Sequence, residues 1–169
     1  MKKASLVLAA VALLSLVGCA GYQPGVNKPK QMVAVTKLAV PTFKNETLQP
    51  RLEVLVTNAV IKQLQIAGTY KIVPVADADA VLHGVIEDIT SRQFRAQRNN
   101  TIKTSQLLVG LIVKYEVKDV NGEVLLKGQP HAVSTLILDP NFQVTRQQAL
   151  ADAASRLSEA VSVEITEGW

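Results

Sequence analysis

From Leu107 to Val117 every second residue is apolar or aromatic (Leu107, Val109, Leu111, Val113, Tyr115, Val117), and Lys114, Glu116 and Lys118 alternate with them. A period of two is what a strand with one buried face requires, so residues 101–119 are expected as a long strand. Upstream, residues 80–89 read as another strand, "VAVTKLAVPTF" at 33–43 as a β-branched first one with Pro41 near its end, and "YKIVPV" as a short one. Asn121-Gly122 lies between "YEVKDV" and "EVLLKG" and predicts an antiparallel hairpin. A type I′ turn is expected there, because it needs two residues that accept positive φ.

The period changes twice. Pro50 is expected at a first helical position, where its missing N–H costs nothing, and Leu52, Leu55, Val56, Ala59, Val60 and Leu64 follow at helical spacing until Gly68. After Pro140, Leu150, Ala153, Ala154, Leu157, Ala160 and Val161 line one face of a final helix ending near Ile165, with Thr145 and Gln148 at capping-box spacing before them. The order strand, helix, three or four strands, helix predicts an α+β fold. Its apolar stripes are best buried in a two-layer sandwich, with two helices on one face of a mostly antiparallel, mixed sheet of four to five strands.

The beginning of the chain follows neither period. Lys2 and Lys3 precede an apolar run, residues 4–17, shorter than the roughly 20 residues a membrane-spanning helix needs. "AGYQPGVNKPKQM", residues 20–32, has two prolines, two glycines and two lysines and reads as a tether. Its reach is at most about 45 Å. Residues 1–18 are thus expected as a signal, 19–32 as the tether and 33–169 as a single domain. Removing Lys2 and Lys3 with the signal turns the formal charge of +4 into +2, too little to define a polyanion-binding protein. The only cysteine, Cys19, stands between signal and tether, so an internal disulfide is not expected.

Leu16-Val17-Gly18-Cys19 resembles the lipobox of bacterial lipoproteins. The resemblance implies that the signal is cut before Cys19 and that its sulfur carries a diacylglycerol, an anchor that holds durably with more than one acyl chain. Ala20, rather than Asp, after the cysteine resembles lipoproteins sent on to the outer membrane. The plainer alternative is a cleaved signal that leaves a free cysteine.

Candidate chemistry is sparse. His83 sits in an apolar strand and His131 follows a proline, neither with a metal-spaced partner. Asp77 and Asp79 in "ADADA" lack the other ligands of a calcium loop and read as a turn. No phosphate loop, nucleophile elbow or zinc-protease pattern is present, so neither catalysis nor a metal or cofactor beyond the lipid on Cys19 is expected. The distinctive polar stretch is "SRQFRAQRNNTIKTSQ", residues 91–106, which holds Arg92, Arg95, Arg98 and Lys103 and no acid. Guanidinium groups bind phosphates bidentately, and Phe94 and Ile102 could meet acyl chains. A solvated loop joining two strands is the plainer alternative. Nucleic acid is a poor fit to an exported chain with only 4 % aromatic residues.

"GCAGYQPG", "KLAVPTFKNETLQPRLEVLVTNAVIKQLQ", "ADAVLHGVIEDI" and the closing "EGW" together resemble the LptE family of lipopolysaccharide-assembly lipoproteins. The resemblance implies a non-enzymatic subunit at the periplasmic face of the outer membrane. It would plug the LptD β-barrel, help it mature, and help pass lipopolysaccharide to the surface. Arg92, Arg95, Arg98 and Lys103 are then candidates for the phosphates of lipid A. The short run beyond Glu164 differs from relatives with extended tails. "LAVPTFKNET" also resembles LpoB-like activators of peptidoglycan synthases, where a long spacer to the enzyme is expected in place of a short tether.

Overall fold

A computed structural model describes residues 28–96, 104–137 and 142–168. The elements are β1 (Lys37–Ala39), β2 (Lys44–Asn45), α1 (Leu52–Ala67), β3 (Lys71–Ile72), β4 (Ala80–Ala96), β5 (Thr104–Asp119), β6 (Val124–Gly128), β7 (His131–Ile137) and α2 (Phe142–Glu167), with 3-10 turns at Lys30–Met32 and Val75–Asp77. The fold is the expected two-layer α+β sandwich, but its sheet has seven strands among the described residues. The stretch expected as one first strand gives rise to two, because β1 ends before Pro41 and pairing resumes only at Lys44.

The sheet runs β3-β1-β4-β5-β6, with β2 beside β4 and β7 beside β5. β1 and β2 pair parallel with β4, and β3 parallel with β1; the partners of β5 are all antiparallel to it. Glu87 is an extra residue in β4, since the register jumps between Ile86↔Val113 and Asp88↔Ile112. The bulge moves the inward positions of β4 from even numbers (Leu82, Gly84, Ile86) to odd ones (Ile89, opposite Leu111).

Both helices cover the face made by Leu82, Ile86, Leu107, Leu111, Val113, Tyr115 and Val117, all essentially inaccessible to solvent. The buried row of α1 is Leu52, Val56, Val60 and Leu64 with Thr57; Leu55, one step off this i, i+4 row, is exposed instead of joining the core. Thr57 is buried because its hydroxyl accepts the Phe43 N–H (2.9 Å) and donates to the Glu53 carbonyl (2.6 Å).

Three local expectations change. Helix α1 begins at Leu52, preceded by Arg51 in the left-handed region (φ 63°), so Pro50 lies before the cap. Helix α2 begins at Phe142, which puts Thr145 inside its first turn and not at its cap. The β5–β6 turn has positive φ at Gly122 (86°) alone. The Asp119 carboxylate accepts the N–H groups of Asn121 (2.9 Å) and Glu123 (2.8 Å), and the Gly122 N–H bonds the Asp119 carbonyl (3.1 Å). A side chain that supplies these acceptors stabilises a turn with one left-handed glycine over a type I′ turn.

Residues 28–32, at the end of the stretch read as a tether, pack on the domain. Met32 is fully buried, and Lys28 Nζ donates to the Val35 carbonyl (2.7 Å) while lying 4.7 Å from the Tyr70 ring centroid. Tyr70 in turn donates its hydroxyl to the Ile165 carbonyl (2.9 Å) in the last turn of α2. The chain therefore enters at the end of the sheet that also holds the C-terminus of α2, an end that forms the root of the domain.

Candidate functional site

Strands β4 and β5 outrun their neighbours. β2 pairs with β4 only as far as Ile86, so beyond the bulge β4 has β5 as its single strand neighbour among the described residues. β7 flanks β5 from Ile112 to Gln106, after which Arg95↔Ser105 and Ala96↔Thr104 form a two-stranded end among the described residues. The result is an arm that leaves the root: from Ala80 to Ala96 β4 has 17 residues, roughly 55 Å of strand.

Two of the sequence-predicted basic residues, Arg92 and Arg95, belong to this arm. Arg92 is exposed on β4 opposite Leu108, and Arg95 stands opposite Ser105. The chain around both is strand and not the solvated loop of the plainer alternative, because residues 104–109 give it an antiparallel partner. Arg98 and Lys103 lie outside the described residues, in the segment 97–103 that connects β4 to β5.

The other candidates are structural. The Asp79 carboxylate accepts the N–H groups of Thr36 (2.9 Å) and Lys37 (2.8 Å) and the Thr36 hydroxyl (2.8 Å), latching β1 to the start of β4. These bonds, the Thr36 N–H first, hold its pKa down to about 2. Asp77 sits in the 3-10 turn before it. His83 and His131 are exposed and lie opposite Glu116 and Ile112 on the helix-free face. Among the described residues no three His, Cys, Asp or Glu side chains cluster as metal ligands do, and no helix is long and apolar enough to cross a membrane.

One feature had no signal in the sequence, because its walls come from three separate elements. A cleft of about 350 Å³ lies between the loop before α1 (Glu46, Leu48, Gln49), the bulge (Glu87, Asp88) and Arg146 of α2. Arg146 is engaged there with the Gln49 amide oxygen (3.3 Å), and Glu46 pairs with Lys44 (2.7 Å).

Comparison with known proteins supplies the family. The model of the LptE lipopolysaccharide-assembly family matches residues 35–165. The chain belongs to the LptE family. The LptE match takes in all seven strands, the arm included. No curated protein matches the sequence. Similar solved structures include a minor lipoprotein from Acinetobacter baumannii, 17 % identical over 79 % of this chain and 92 % of that one, with a TM-score of 0.50. Hypothetical protein CT253 from Chlamydia trachomatis is 10 % identical over 80 % and 98 %, TM-score 0.54. Protein XCC0632 from Xanthomonas campestris is 10 % identical over 79 % and 85 %, TM-score 0.52. At such identities the likeness is one of fold.

Proposed function

We propose that this LptE-family chain is a non-enzymatic outer-membrane lipoprotein, held by acyl chains on Cys19, that plugs the LptD β-barrel, helps it mature, and contacts lipopolysaccharide through its basic arm. Family membership over residues 35–165 carries the reading. The shape of the domain supports it: root and arginine-bearing arm are at opposite ends of one long hairpin. Between Cys19 and Lys28 there are eight residues, which reach at most about 30 Å. A root kept that near the inner leaflet directs the arm away from the anchor, and wide barrels have a polar lumen that such an arm can fill. The same short spacer disfavours an LpoB-like activator, which must reach its enzyme across the periplasm.

Gentle purification of the tagged protein from membranes of a cell that makes lipopolysaccharide is expected to bring a large outer-membrane barrel with it. Recovery without any barrel overturns the plug. The site has its own test. Replacing Arg92, Arg95, Arg98 and Lys103 together by Gln is expected to weaken lipopolysaccharide binding at least about tenfold at low salt and to flatten its salt dependence, since the lost contacts are charge-assisted. An affinity equal to that of the unaltered protein discards the basic arm as the lipid contact and leaves the plug standing.

A further inference from the structure

The margin of the sheet at β7 is unlike the other margin. On the far side the outer strands are two residues long and carry lysine, Lys71 in β3 and Lys44 in β2. Short, charged outer strands are the usual protection against unwanted pairing. β7, "HAVSTLI", has seven residues with no lysine, arginine, acid, proline or glycine, and among the described residues its only strand neighbour is β5.

The register fixes which of its main-chain groups face away from β5. The Val113 N–H donates to the Pro130 carbonyl (3.1 Å), so 113 and 130 are a hydrogen-bonded antiparallel pair. Counting along the same register, Ala132, Ser134 and Leu136 turn their N–H and C=O groups toward β5, whereas Val133 and Thr135 turn theirs outward. The side chains sort the same way. Ala132 and Ser134 are buried under α2, while Val133 and Ile137, 49 % and 71 % exposed, stand on the helix-free face. An extended segment laid along β7 would gain main-chain hydrogen bonds and seat alternate apolar side chains beside Val133 and Ile137.

A second copy of this chain is a poor occupant. A strip seven residues long and one sheet thick is roughly 23 Å by 10 Å, about 230 Å² per side, against the roughly 800 Å² per partner of a stable pair. Antiparallel pairing of two β7 strands would also put the two roots at opposite ends, although both tethers must reach one leaflet. The fitting occupant is a protein that already holds the domain by other contacts. We infer that β7 is the edge to which the barrel partner adds an extended segment, apolar at alternate positions, an inference that rests on the plug reading above.

Val133→Lys places a charge beside the edge, and Thr135→Pro deletes an outward N–H that is unpaired among the described residues. Each is expected to fold, by circular dichroism and melting, and to lower recovery of the barrel in the membrane purification at least about tenfold. Wild-type recovery by both variants overturns the edge and leaves the plug; a wild type that recovers no barrel removes both. Micromolar dimerisation of the purified wild type that Thr135→Pro abolishes assigns the edge to a second copy and overturns the inference. Should either variant fail to fold, p-benzoylphenylalanine at Val133, Thr135 or Ile137 serves instead. Cross-links that move two residues along one barrel segment for each two-residue step on β7 support strand addition, and co-purification without such cross-links overturns it.

Discussion

Gly84→Ala is expected to destabilise the domain by about 2–3 kcal/mol, the upper range for forcing a methyl group into a filled core. Gly84 has no unusual φ, and alanine in a strand should by itself be better than glycine by about 0.5–1 kcal/mol. The penalty comes from Phe43, whose ring lies flat on the Gly84 backbone: an added Cβ would stand 2.6 Å from its Cγ and nearer still to the ring edge. Phe43 cannot retreat cheaply, being 2 % exposed and held through its own N–H to Thr57 of α1. Urea unfolding of the single and double variants decides the matter. In a Phe43→Ala background, itself costing about 3–5 kcal/mol, Gly84→Ala should cost nothing or gain slightly; a penalty that persists there contradicts the account.

Much of this architecture was legible because burial imposes a period. The alternation from Leu107 to Val117 located β5 and its inward face, and the row Leu52, Val56, Val60, Leu64 located α1. What escaped were features set by contacts between distant segments. Glu87 looks like any strand residue, yet as a bulge it switches the inward positions of β4 from even to odd. Leu55 fits a helical stripe by spacing but lies just outside the strip that the sheet covers. Asn121-Gly122 fixed the place of the hairpin, while the Asp119 carboxylate fixed the turn type. For the candidate site, charge composition drew attention to residues 91–106, but only the pairing of β4 with β5 shows that the first basic residues ride on strand. The edge of β7 has no local signature, because it is defined by the lack of a second strand neighbour among the described residues.

Tyr115→Ala is expected to be the most damaging truncation among the described residues, at about 4 kcal/mol or more, since it empties the largest of their fully buried side-chain positions and strands a carboxylate. The ring of Tyr115 abuts the backbone of Gly128, where an added Cβ would come within 2.7 Å of it, and its hydroxyl donates to Glu164 of α2 at 2.8 Å. Tyr115→Phe keeps the packing and loses only that bond, which predicts about 1–2 kcal/mol. The two variants thus separate the ring's contribution from the hydroxyl's. Burial, then the neighbouring Glu164, raises the Tyr115 phenol far above its ordinary value of 10.0, and burial pushes Tyr70 up to about 12. A raised pKa means that the folded state keeps a proton the unfolded chain gives up, so this stability is complete below pH 10 and declines as pH rises beyond it. Between pH 10 and 12 both phenols contribute, at no more than about 1.4 kcal/mol per pH unit each; Tyr115→Phe should make the decline shallower, and equal slopes for variant and wild type would contradict the assignment. Because Tyr70 and Tyr115 both bond the last turn of α2, at Ile165 and Glu164, and Lys28 lies over Tyr70, alkali should loosen the root first. Hydrogen exchange above pH 10 is therefore expected to quicken around residues 28–36 and 160–168 before it does along β4 and β5.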